Sequence, residues 1–169
     1  GVPVVYYGDE VGMTGSGDGR DRNARQDMFP TQVADWKTEQ RIGGTPIGTG
    51  SSFTSTGPLE SRLAQLARLR SDNPALASGA QITRLGKDGV FAASRIDAAT
   101  RTEYVVAFNT GNDPTTVHVP SSTPSSSWTP LLGGSSATSD ATGQLVLSIP
   151  ARGTVVLKAR HEGDSVIVE

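Results

Sequence analysis

Val90-Phe-Ala-Ala-Ser-Arg-Ile96, the turn Asp97-Ala-Ala-Thr100 and Glu103-Tyr-Val-Val-Ala-Phe-Asn109 decide the fold. Two short runs of β-branched and aromatic residues flank a polar turn, which is how a pair of antiparallel strands reads. The two-residue period continues outward on both sides, predicting further strands at about 81–85, 115–119, 127–132, 144–149 and 154–159. Turn signals at Lys87-Asp-Gly89, Thr110-Gly-Asn-Asp-Pro114 and Gly133-Gly134 separate most of them. Seven short strands at this spacing predict an antiparallel sandwich with Greek-key connections over residues 80–160. The Ser/Thr-rich stretches 120–127 and 135–142 read as exposed connections.

Composition agrees with a mainly β chain. Its 169 residues include 20 Gly, 10 Pro, 18 Ser and 18 Thr, whereas apolar residues make up 35% and charged residues 19%. That mix favours short strands and many turns over helix bundles. The net charge of −2 supplies no field to hold a nucleic acid or an anionic bilayer. No apolar run approaches the roughly 20 residues of a membrane helix. The absence of Cys removes disulfides, thiolate catalysis and cysteine zinc sites.

Upstream of residue 80 the period changes. Gly57-Pro-Leu-Glu60 opens the best helix in the chain, with Gly57 as N-cap, Pro58 as the first helical residue and Glu60 in the first turn. Leu59, Leu63, Leu66 and Leu69 follow at steps of three and four and predict one apolar stripe, and Asn73-Pro74 ends the helix. Residues 2–7 are apolar on both faces, as a parallel strand covered on both sides would be. Between them, residues 8–57 are too long for an ordinary connection, which predicts a functional or disordered loop with short helical turns near 25–36. A chain that starts with Gly1 inside such a strand is expected to be a piece of a longer protein, and residues 161–169 read as the start of a further segment or a tail.

The motif Gly1-Val-Pro-Val-Val-Tyr-Tyr-Gly-Asp-Glu-Val-Gly-Met13 resembles the eighth barrel strand of the α-amylase family of glycoside hydrolases, in which Gly-x-Pro-x-x-Tyr-x-Gly-x-Glu is typical. Gly1, Pro3, Tyr6, Gly8 and Glu10 carry that match. The downstream order is also similar: a variable loop, a helix, Arg-x-x-Asn-Pro-Ala-Leu ending at Leu76, then a sandwich that the family calls domain C. The resemblance implies that residues 1–79 are the last strand, loop and helix of a (β/α)8 catalytic barrel and 80–160 domain C. It implies an α-glucan substrate and, as a partner, the remainder of the barrel. The family's nucleophilic Asp, acid/base Glu and second Asp lie on strands four, five and seven, so the resemblance leaves this segment no catalytic residue. It implies no cofactor here, while leaving room for calcium in the complete protein. The Ser/Thr-rich, Lys-poor and Cys-free composition fits a secreted bacterial polysaccharide enzyme.

Strand ends on the active face of such a barrel carry the loops that line the site. Asp9 and Glu10 are neighbours at a strand end and point apart, which is unsuited to a retaining pair of carboxyls about 5 to 5.5 Å apart. Glu10 is expected to orient its loop instead. The loop 15–27 concentrates Asp18, Arg20, Asp21, Arg22 and Arg25, groups able to form paired hydrogen bonds with sugar hydroxyls. These five are the candidate substrate contacts. Asp18, Asp21 and Asn23 lack the spacing of a calcium-binding loop. His118 and His161 have no ligand-like spacing, and Trp36 and Trp128 are expected to pack within their own domains.

Overall fold

The computed structural model describes residues 3–15, 20–28, 30–46 and 57–160, leaving aside the side chains of Arg22 and Ala24. The chain forms two units, Gly1–Arg68 and Leu69–Glu169.

The second unit is a β-sandwich. Its strands are β1 Ala80–Lys87, β2 Val90–Ile96, β3 Glu103–Asn109, β4 Thr115–Pro120, β5 Ser127–Leu132, β6 Ala137–Thr138, β7 Gln144–Ile149 and β8 Thr154–Ala159. Six of them form one sheet in the order β1-β2-β3-β8-β5-β6, and β4 and β7 form a second. Every pairing is antiparallel. The returns β3 to β8 and β4 to β7 join strands distant in sequence, as Greek-key connections do. β2 and β3 pair without a bulge from Val90↔Asn109 to Ile96↔Glu103.

Alternation then builds the core. Val90, Ala92, Val105, Ala107, Val155 and Leu157 point inward from the large sheet and meet Val119, Leu145, Leu147 and Ile149 from the small one. Leu145, Ile149 and Leu157 are fully buried, and each such side chain contributes roughly 1.5 to 3 kcal/mol. Trp128 is 1% exposed. Its indole N–H donates to Ser139 Oγ at 3.2 Å, while Ser139 Oγ donates to the Thr123 carbonyl at 2.6 Å. One serine thereby satisfies the only polar atom of the largest core side chain. Residues 135–142, expected to be wholly a connection, contain β6, whose two residues pair with Ser127 and Trp128. The strand is too short to show a period of its own.

One carboxylate lies inside the sandwich. Glu103 shares its side of β3 with Val105 and Ala107 and is fully buried. Its Oε1 accepts from Arg84 Nη2 at 3.1 Å and from the Ser94 hydroxyl, and its Oε2 accepts from Ser122 N at 2.9 Å and Thr123 Oγ1 at 2.7 Å. Four donors from β1, β2 and the β4–β5 connection satisfy the buried charge, as burial of an ion requires.

α1 (Asp21–Ala24) and a 3₁₀ turn (Ala34–Trp36) are short elements of the first unit. α2, the helix expected from the leucine spacing, runs from Pro58 to Asp72, and Ser61 N donates to the Gly57 carbonyl at 3.0 Å. Asn73 ends it by donating from Nδ2 to Leu69 O at 3.0 Å. A further short helix, α3 (Ala75–Ser78), was not expected from the sequence pattern. The leucine stripe is only half-buried, and no α2 residue is buried.

The expected strand at 2–7 is corrected. Residues 3–6 hold no strand among the described residues, and Val4 is 83% exposed. A strand covered on both faces needs ladder partners on both edges, and the described residues supply none to this segment.

Candidate functional site

The segment carrying the family-like motif closes into a tight turn after Tyr6. Asp9 N donates to Tyr6 O at 3.0 Å, and Met13 N donates to Gly8 O at 3.0 Å. Gly8 and Gly12 hold φ of +95° and +77°, in the region that favours glycine. At Gly8 a Cβ would also lie 2.6 Å from Met13 Sδ, and at Gly12 it would collide with the Ile42 carbonyl.

Both acidic residues of the turn face its own backbone. Asp9 Oδ2 accepts from Tyr6 N at 2.8 Å, and Glu10 Oε2 accepts from Gly8 N at 3.2 Å. A second turn is laced to the first through Ile42 N to Gly12 O at 2.8 Å, a bridge between Met13 and Arg41, and Thr14 Oγ1 to Gln40 O at 3.0 Å. Between them lies a cleft of about 260 Å³ whose lining includes Glu10, Arg41, Gly43, Gly44, Gly57 and Pro58. Arg41 Nε donates to Thr45 O at 2.7 Å. A half-buried carboxylate and a guanidinium can hold hydroxyl groups, but the two carboxylates of this turn are committed as braces.

The candidate contacts divide. Asp18 and Gly1 lie outside the described residues, and so does the side chain of Arg22. Arg20 is exposed. Asp21 and Arg25 form an ion pair of 2.8 Å across one helical turn, with 76% and 62% of their side chains exposed. Pro3 and Tyr6 are exposed, whereas Gly8 is buried and Glu10 half-buried. Tyr7, not selected from the sequence, receives Met28 N on its hydroxyl at 2.9 Å and so ties the motif to the charged loop. Gln26 was also missed: it is 1% exposed, and neither amide atom has a hydrogen-bond partner. Neither residue carries a sequence signal beyond its position beside the motif or the charge cluster. Trp36 and Trp128 are both buried. Among the described residues no three His, Cys, Asp or Glu side chains cluster as metal ligands, and no helix is long and apolar enough to cross a membrane.

No protein-family model matches the chain. Its sequence is 42% identical over 165 residues to an α-amylase of Streptomyces lividans, an alignment covering 94% of this chain and 17% of that protein. The chain is a segment of the α-amylase family. Solved structures agree on the fold. The α-amylase from H. orenii superposes with a TM-score of 0.59 at 25% identity, covering 92% of this chain and 32% of that one. The cyclomaltodextrin glucanotransferase CldA, described as having a three-domain ABC distribution, gives 0.59 at 23% identity over 95% of this chain and 30% of its own. An Anoxybacillus α-amylase gives 0.56 at 17% identity, covering 75% and 28%. This α-amylase-family segment thus spans a sixth to a third of the proteins it matches.

Proposed function

We propose that this chain is the C-terminal part of an α-glucan-active hydrolase that cleaves α-glucosidic bonds of starch-like polysaccharides with retention of configuration. Residues 1–79 then contribute the last strand, loop and helix of the catalytic barrel, 80–160 domain C, and 161–169 the start of a further segment. The observation that carries this reading is the 42% identity to an α-amylase across 94% of the chain. It is supported by the agreement between the motif order and the fold: a glycine-braced turn after the motif, a helix ended by Asn73-Pro74, then an antiparallel sandwich.

In this role the segment holds and walls the cleft without performing the bond-breaking step. Retaining hydrolysis needs a nucleophilic carboxylate and an acid/base carboxyl flanking the scissile bond. Asp9 and Glu10 brace their own turn, and the family places its catalytic carboxylates on strands that precede this segment. Asp18, Arg20, Asp21, Arg22 and Arg25 then line the substrate side, where the exposed Asp21–Arg25 pair can exchange its mutual bond for sugar hydroxyls. The reading leaves room for calcium in the complete protein, and secretion from a bacterial cell fits the composition.

A second reading, a non-catalytic carbohydrate-binding or structural sandwich, is favoured by one observation: among the described residues the hydrophobic core cluster lies in the second unit. Proton NMR of maltooligosaccharide hydrolysis separates the two. A natural enzyme containing this segment releases the α-anomer first, and the 169-residue chain alone releases no reducing sugar. First release of the β-anomer removes the retaining mechanism, and no hydrolysis by the intact protein removes the enzymatic reading.

A further inference from the structure

At the edge of the large sheet, one row of polar side chains runs from β6 across β5 to the residue that follows β8. Ser127 of β5 is the cross-strand partner of Thr138 of β6, and Arg160, directly after β8, donates its backbone N–H to Ser127 O at 2.8 Å. The neighbouring pair Trp128 and Ala137 turns the other way, into the core. Ser127 and Thr138 therefore stand on the outer face, since successive side chains alternate. With Ser136 they border a cleft of about 260 Å³ lined by Ser127, Trp128, Ser136, Ala137, Thr138 and Arg160.

Two features set this row apart from other exposed polar side chains. The Arg160 side chain is held in place by Nε donating to Thr129 Oγ1 at 2.5 Å, a bond that leaves its terminal N–H groups available. Among the described residues, the hydroxyls of Ser127, Ser136 and Thr138 make no hydrogen bond to another protein group. Two uncommitted hydroxyls on paired strands, Ser127 and Thr138, thus share one cleft with Ser136, just before β6, and the Arg160 guanidinium, just after β8, over a buried tryptophan. Groups mounted on strands need little ordering when a ligand arrives.

We propose that this cleft binds a sugar residue of a neutral oligosaccharide, with Arg160 as its main anchor. Hydroxyls both donate and accept, which matches the mixed donors and acceptors of a sugar ring. A phosphate would call for several N–H donors or cations, and the cleft offers one cation. The choice of an α-linked glucan as the oligosaccharide rests on the function proposed above; the site itself rests on the cleft.

Amide-resolved NMR of the 169-residue chain tests it, with maltotriose, cellotriose and inorganic phosphate titrated separately. The expected result is that maltotriose shifts the amides of 127–129, 136–138 and Arg160. Arg160→Ala weakens that binding about ten- to hundredfold, and Thr138→Val about two- to tenfold, with both spectra otherwise unchanged. If both sugars bind the cleft equally, the site stands and the α-glucan function loses its support. If maltotriose shifts only residues of the first unit, the site is wrong and the function is untouched. Binding of phosphate alone, or maltotriose shifts that survive both substitutions undiminished, overturns the site.

Discussion

Glu103 cross-links three strands and one connection of the sandwich through a single buried carboxylate. It joins β3 to Arg84 on β1, Ser94 on β2 and Ser122 and Thr123 beyond β4, and it is fully buried. Removing it strands a guanidinium that is itself 13% exposed. Glu103→Ala is therefore expected to cost about 3 to 5 kcal/mol, read from urea denaturation; a loss under 1 kcal/mol would mean the network is dispensable. Two surface carboxylates set the acid limb. Asp97 is held below the usual Asp value, chiefly by the Thr100 N–H; burial opposes this as the next-largest effect, and the Thr100 hydroxyl, the Ala99 N–H and Lys158 add to the lowering. Asp140 is lowered chiefly by the Thr142 hydroxyl and then by the N–H groups of Gln144 and Thr142. Depressed folded values mean stability that is present above the unfolded value of 3.8 and lost as pH falls through the lowered values. The Asp97→Asn/Asp140→Asn double variant should accordingly show a flatter fall in melting temperature below about pH 4, and an unchanged acid slope would contradict this. Gln26 calls for the opposite sign. Its buried amide lacks partners, so Gln26→Met should slow proteolysis between residues 20 and 46, because an unsatisfied buried group costs about 1 to 3 kcal/mol. Faster cleavage would show that the amide is bonded. The sequence pointed to none of these three roles directly. Only Glu103 left a trace, through its shared parity with Val105 and Ala107.

Strands and helices were far more legible. Five of the seven expected strands, β2, β3, β5, β7 and β8, occupy the expected residues, because each has at least one buried face and a turn at its end. β1 and β4 run past their expected ends, where Lys87 and Pro120 extend a ladder by pairing with Val90 and Gln144. β6 escaped because two residues carry no period. α2 begins and ends where Pro58 and Asn73-Pro74 require. The segment at 2–7 is the informative failure: its composition describes a strand with partners on both edges, and local residues cannot provide them. Backbone amides of Val4 and Val5 are thus expected to exchange with solvent orders of magnitude faster than those of Val105 and Ala107 in β3. Equal protection in a monomer would mean that this segment has found a ladder within the chain.

For the molecule as a whole, the two units differ in what they can do alone. The second has its own core and a satisfied buried charge, which suits independent cooperative folding. The first holds exposed Val4, Val5, Tyr6 and Tyr7 beside a glycine-dependent turn, features of a surface made to be covered. The family and the sandwich were readable from motif and period; the pairing inside the charged loop, where Asp21 meets Arg25, was not, because ion pairs in a loop have no fixed spacing. The central claim is that this segment completes a catalytic barrel whose bond-breaking carboxylates lie elsewhere. It is tested most directly by mixing the 169-residue chain with the separately produced preceding part of its natural protein and measuring reducing-sugar release from starch together with exchange at residues 4–7. The account predicts no release from the chain alone, release from the mixture, and slow exchange at Val4 and Val5 only in the mixture. Release by the chain alone, abolished by Asp9→Ala or Glu10→Ala with the sandwich still folded, would contradict it.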